Sequence, residues 1–259
     1  MLASISAPRF VALLFAAFSA GTIDAVVGGG GLIQLPALLL ILPHRPTVAL
    51  LGTNKVASVW GTGSAAVIYN RKVRVDRREA FRMAAFAGVG SFGGAAVASL
   101  ISSAALKPIV LVALLGVLVY VWKNPQIGLH HRDLRSPSSR RLVIALGGFG
   151  IGMYDGFIGP GTGSFLVFML VGLIGMDFLR SSAVAKIVNA ATNLAAIVLF
   201  VSQGHVIIGL GLAMGAANAT GAQIGARMAI GKGAVWVRKV FLVIVSALMV
   251  RLAYDIFLS

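Results

Sequence analysis

At 259 residues, 58% of them hydrophobic and only 11% charged, with a mean hydropathy of +0.95, the chain has too little polar surface to cover a water-soluble globule. A net charge of +15 raises nucleic acid as a partner, but the cations stand in short links between apolar runs instead of along one helical face, which argues against that class. Cysteine is absent, so disulfides, thiol chemistry and cysteine-bound metals are excluded.

Five apolar runs fall in each half of the chain. In the first half they cover residues 9–27, 32–43, 47–69, 80–103 and 106–122. In the second they cover 141–158, 164–176, 181–203, 206–229 and 234–257. A hydrocarbon core of ~30 Å takes ~20 helical residues to cross. The expected fold is therefore all-α, a polytopic integral membrane protein of about ten helices. The second run of each half is short enough to be a half or broken helix. Arg9, the apolar run after it and the small residues Ser19, Ala20 and Gly21 imitate a secretory leader. The same run recurs at 141–158 with the same Asp-x-x-x-Gly ending, which argues for a retained helix.

Asp24 and Lys55 recur as Asp155 and Lys186 at a constant offset of 131 residues, giving one acid and one base per half. The same offset matches Gly28 with Gly159, Gly30 with Gly161, Ala65 with Ala196, Gly90 with Gly221 and Gly94 with Gly225. Two fused copies of one unit explain this: a first repeat at 1–122, a basic linker at 123–139 and a second repeat at 140–259. Cations collect in three places: the loop with Arg71, Lys72, Arg74, Arg77 and Arg78, the linker, and the stretch with Arg227, Lys232, Arg238 and Lys239. Such loops stay cytoplasmic. All three share one side only if each copy crosses an odd number of times, so the second copy is expected upside down relative to the first. Inverted repeats of this kind are a design of secondary transporters. Both termini then lie outside, which Arg9 opposes for the N-terminus.

Two constellations carry chemistry. The first is Asp24 followed by Gly28, Gly29, Gly30 and Gly31, with its partner Asp155 followed by Gly159, Pro160, Gly161, Thr162 and Gly163. Glycines this dense unwind a helix. In a bilayer that is tolerated where the freed backbone lines a cavity or meets a ligand, and the positive end of the next short helix favours an anion. The second is Lys55, Ser58 and Thr62, at 0, +3 and +7 on one helical face, repeated as Lys186, Asn189 and Asn193. Two lysines and two aspartates in lipid represent on the order of 10 kcal/mol if left unpaired. Asp–Lys pairing or snorkelling offsets that cost. So does an anion held by the lysines, hydroxyls and amides, with Asp24 or Asp155 carrying a proton or balancing charge.

Gln34 has Phe165 as counterpart, so the halves line the site unequally, and Lys186 with its asparagines is placed ahead of Lys55. Gly90-x-x-x-Gly94 and Gly221-x-x-x-Gly225 read as close helix packing. Asn218 and Gln223 are secondary candidates for the pathway, and Trp60, Trp122, Tyr69 and Tyr120 serve as interface anchors or ligand contacts. No metal-ligand spacing, nucleotide loop or catalytic triad is present in the pattern, so neither an enzyme nor a cofactor is expected.

At these residues the chain resembles the sulfite exporter TauE/SafE family of bacterial membrane transporters. The likeness rests on Asp24 with its glycine run, Gly52-Thr53-Asn54-Lys55, the mid-chain run from Gly152 through Asp155 to Gly163, and Ala185-Lys186-x-x-Asn189. It adds Asn54 to the binding set. It implies secondary transport of a small sulfur-containing anion, such as sulfite, sulfoacetate or another organosulfonate, across the bacterial inner membrane. The coupling partner would be a proton or other ion, the solvent would be membrane lipid, and a homo-oligomer is compatible with the pattern. A passive anion channel and a carrier of a non-sulfur organic acid are the alternatives.

Overall fold

A computed structural model describes residues 5–102 and 136–257. The fifth predicted run, at 106–122, and nearly all of the linker lie outside them.

The described residues form α1 (Ala7–Val27), α2 (Gly31–Ile41), α3 (Thr47–Lys72), α4 (Arg77–Leu100), α5 (Pro137–Phe157), α6 (Thr162–Met169), α7 (Phe178–Ser202) and α8 (Ile208–Phe257), with no strand among them. α6 runs on into a single π-helical stretch, Leu170–Ile174. α8 is interrupted at Gly233, where φ of 76° and ψ of −179° leave helical geometry between the two last predicted runs. Local chemistry sets the starts. Asp76 and Asp177 accept from the backbone N–H of Glu79 and Arg180, and proline sits in the first turn of α1 and α5.

Among the described residues, three helices are long and apolar enough to cross a membrane by length and composition: Ala7–Val26, Arg77–Leu100 and Phe178–Ser202. α3 is as long, at 26 residues, but Thr53, Asn54, Lys55 and Thr62 dilute its hydropathy. Those four side chains are buried, so its polarity points into the bundle. Phe15, Leu100 and Val198 show the reverse and stand exposed on the outside. α2 and α6 are short, as the sequence predicts for the second run of each half.

The first helix of each half packs on the fourth helix of the other. α4 and α5 run in the same direction, with Gly90 against the carbonyl of Phe149 and Gly94 against that of Met153. α1 and α8 do the same, with Gly221 against Phe18 and Gly225 against Thr22. A Cβ added at Gly94 would stand 2.0 Å from Met153 O, so both small-residue patterns are packing seams. Further exchange joins α3 to α8, where Gly52 meets His205 and Gly211 meets Val56, and α4 to α7, where Ser91 Oγ donates to Thr192 O at 2.7 Å.

The N-terminal ends of α4, α5 and α7 share one end of the bundle, around a groove of about 910 Å³. Arg74, Arg82, Arg140, Arg141 and Arg180 line it. Arg140 grips Glu79 through two nitrogens, at 2.7 and 2.9 Å, tying α5 to α4 at this end.

Candidate functional site

Each glycine run breaks a helix, and the two breaks touch. α1 stops at Gly28, whose φ of 83° is a left-handed turn that only glycine adopts freely. The chain then doubles back, so that Gly30 lies against Ala20 and Asp24. α5 ends at Phe157 and passes through Gly159 and Gly161, again at positive φ. Tyr154 donates its hydroxyl to Pro160 O at 2.7 Å, and Thr162 Oγ1 donates to Gly159 O at 2.6 Å, shaping this second turn. Across the junction Ser164 N donates to Gly28 O at 3.2 Å, and Gly31 faces Pro160. α2 and α6 therefore start at one shared point, with their positive ends toward it.

The charges pair across the halves. Lys186 Nζ lies 2.8 Å from Asp24 Oδ2 and also donates to the Asp24 carbonyl. Lys55 Nζ lies 2.8 Å from Asp155 Oδ2, a second ion pair. Lys55, Lys186 and Asp155 are at most 2% exposed, whereas Asp24 retains 13%. The acid and base of one half, 31 residues apart, are thus not partners: the exchanged helices bring each lysine to the other half's break. A double-mutant cycle tests this. Asp24→Asn with Lys186→Met is expected to couple by about 1–3 kcal/mol in detergent unfolding, and Asp24→Asn with Lys55→Met, which share only the cavity wall, to couple less.

A cavity of about 20 Å³, room for about one water molecule, lies between the breaks. Of the residues singled out in sequence, Asp24, Gly30, Asn54, Lys55, Ser58, Thr62, Asp155, Gly161, Thr162, Asn189 and Asn193 line it. Gly29, Gln34 and Lys186 do not. Lys186 is screened by Asp24, so the lysine at the wall is Lys55. Gln34, fully buried, sits behind the wall: Nε2 donates to Asn54 Oδ1 at 2.8 Å, and Oε1 accepts from Asn218 Nδ2 at 2.7 Å. It ties α2 to α3 and α8. Its counterpart Phe165 instead stacks edge-on against Tyr154, at 5.3 Å between ring centres.

Asn218 joins the lining, with Ala87 in the matching place of the first half. Gln223 is exposed and takes no part in the cavity. Tyr69 is not an interface anchor: it is fully buried, and its hydroxyl donates to Ala25 O at 2.8 Å, holding an end carbonyl of α1. Trp122 and Tyr120 lie outside the described residues.

The doubled acid and lysine, the paired glycine breaks and the polar faces of α3 and α7 converge on one buried locus. The sulfite exporter TauE/SafE family description matches residues 13–252. The chain belongs to the sulfite exporter TauE/SafE family. Among its curated relatives, a protein of Sinorhizobium sp. named probable membrane transporter protein ORF9 is 36% identical, over 95% of this chain and 94% of its own. A probable membrane transporter protein of Haemophilus influenzae is 33% identical over 95% of both chains. The probable membrane transporter protein YfcA of Escherichia coli K12 is 32% identical over 94% of this chain and 89% of its own. No solved structure matches the chain. In this TauE/SafE member the family match spans both breaks and all four paired charges.

Proposed function

We propose that the protein is a secondary active transporter of a small sulfur-containing anion, sulfite or an organosulfonate, in the bacterial inner membrane. Inverted five-helix repeats rock against each other around the junction of the two breaks. The reading is supported by the family, by the names of the relatives, and by the parallel packing of each half's first helix on the other half's fourth. The cation-lined groove marks the cytoplasmic end.

One observation carries the mechanism: both lysines are already engaged by carboxylates, Lys55 at the wall and Lys186 behind it, around a cavity of about 20 Å³ that is too small for an oxyanion. An anion enters only when it displaces a carboxylate from a lysine. Leaving that carboxylate charged and unpaired in the bundle is strongly unfavourable. Taking up a proton neutralises it. Asp24, the more exposed acid, is the group that exchanges a proton and frees Lys186 to swing toward the cavity. Lys55, Ser58, Thr62, Asn189 and Asn193 then hold the oxyanion by charge and donated hydrogen bonds. Anion and proton move together, a coupling that distinguishes this cycle from a passive channel. The exchange of partners at Asp24 and Lys186 takes the place of bond-making chemistry, and no step calls for an enzyme activity or a cofactor.

In proteoliposomes, a gradient of one pH unit is expected to drive about tenfold accumulation of sulfite or sulfoacetate for one proton per monovalent anion. Asp24→Asn is expected to keep anion exchange and lose the response to the gradient. Flux that never exceeds equilibration in the wild type refutes coupled transport.

A further inference from the structure

The second turn of α7 carries two hydroxyls, Ser181 and Ser182, that are 0% and 1% exposed, and neither Oγ has a hydrogen-bond partner among the described residues. Burying an unpartnered hydroxyl is costly. Serine and threonine in a helix ordinarily escape that cost by donating to a carbonyl one turn back. Thr53, Thr62 and Ser99 do so in this bundle. Ser181 and Ser182 do not.

Packing gives no reason for hydroxyls at these places. At the offset of 131 the first half has Leu50 and Leu51, each 1% exposed and part of the apolar core. A leucine is therefore accepted at the matching position of α3. Ser182, Lys186, Asn189 and Asn193 follow one another at +4, +3 and +4, on a single face of α7. The last two line the cavity. Ser182 extends that polar face one turn outward, toward the end of α7 where Arg180 joins Arg74, Arg82 and Arg141 around the groove. On α3 the same face reads Leu51, Lys55, Ser58 and Thr62, polar from the lysine inward and apolar at its outer end.

We propose that Ser181 and Ser182 form a cytoplasmic-side subsite for the transported oxyanion, resting on the anion-transport reading above. Their hydroxyls donate to the anion as it passes between the basic groove and the central cavity. Neutral donors suit a transit position, because they replace water around an oxyanion without the fixed charge that would trap it. The arginines at the mouth raise the local anion concentration. On the opposite side Leu50 and Leu51 leave the approach apolar, so it closes by excluding water. The two approaches to one site differ in chemistry, polar from the cytoplasm and greasy from outside.

The chain contains no cysteine, so Ser182→Cys and Leu51→Cys each introduce a single thiol. In vesicles of known sidedness, an impermeant anionic methanethiosulfonate at the cytoplasmic face is expected to modify Ser182→Cys at least about tenfold faster than Leu51→Cys. Sulfoacetate is expected to slow that reaction. Equal rates, or modification of Ser182→Cys only from the outer face, overturn the subsite. The Ser181→Ala/Ser182→Ala variant supplies a readout that folding cannot confuse. Removing unpartnered hydroxyls leaves thermal stability unchanged or raised, while anion flux is expected to fall about tenfold. A stabilised variant with full flux identifies the hydroxyls as packing only and overturns the subsite. If the purified wild type moves neither sulfite nor sulfoacetate while Ser182→Cys keeps its fast cytoplasmic labelling, the polar approach stands and the substrate reading fails.

Discussion

Lys55→Met is expected to abolish anion flux in proteoliposomes and to lower the stability of the purified protein by about 3–5 kcal/mol. The stability loss comes from Asp155, 2% exposed, whose carboxylate would be left buried without its counter-charge. The flux loss has a separate cause, because Lys55 Nζ is the ammonium at the cavity wall, beside Gly159. The two effects come apart in Lys55→Met/Asp155→Asn. With both charges removed, stability is expected to recover most of the loss, since a buried pair replaced by groups of similar volume is often neutral. Flux is expected to stay at background. Recovery of flux in the double variant would make the pair a structural brace and remove Lys55 from anion binding. Lys186→Met should follow the same pattern with a smaller stability loss, because Asp24 is partly hydrated.

Gly28→Val is expected to destroy the junction of the breaks. At φ of 83° a β-branched residue is strained, and its Cβ would stand 2.3 Å from the Gly163 carbonyl carbon. The obstacle is backbone, which has no rotamer to escape into. A loss on the order of 3 kcal/mol or more is expected in detergent unfolding, with no flux at any anion concentration. Gly150→Ala is the matched control: its added Cβ meets nothing within 4 Å, so stability should be unchanged or slightly raised. Equal behaviour of the two variants would mean that the contact of the breaks contributes nothing.

Much of this site was legible before any coordinates. Asp24, Lys55, Asp155 and Lys186 stand out because charge is rare in the chain, and the glycine runs because they recur at a fixed offset. The stripe on α3 needed only the helical period. The choice of partner was not legible, because the sequence offers Asp–Lys pairing without saying which acid meets which base, and only the fold brings Lys186 of α7 to Asp24 of α1 and Lys55 of α3 to Asp155 of α5. Asn218 escaped weight for the opposite reason: its matching residue is alanine, so repetition gave no signal. Tyr69, an aromatic near the end of an apolar run, reads equally as an interface anchor or a ligand contact, and only the position of the Ala25 carbonyl shows its use. The screening of Lys186 behind Asp24 depends on side-chain reach, which helical spacing does not encode.

The crosswise charge pairs also bear on how the molecule is made. Lys186 follows Asp24 by 162 residues, and Asp155 follows Lys55 by 100. A ribosome delivering the chain from its N-terminus places α1 and α3 in or beside the bilayer long before α5 and α7 exist. During that interval the only acid and base of this set yet synthesised are Asp24 and Lys55, the two that the finished fold keeps apart. Neither final ion pair can form until α5 and α7 have been added, so Asp24 and Lys55 wait for partners that the second half supplies. A premature stop after α4 would leave a fragment with neither final ion pair, a natural substrate for membrane quality-control proteases.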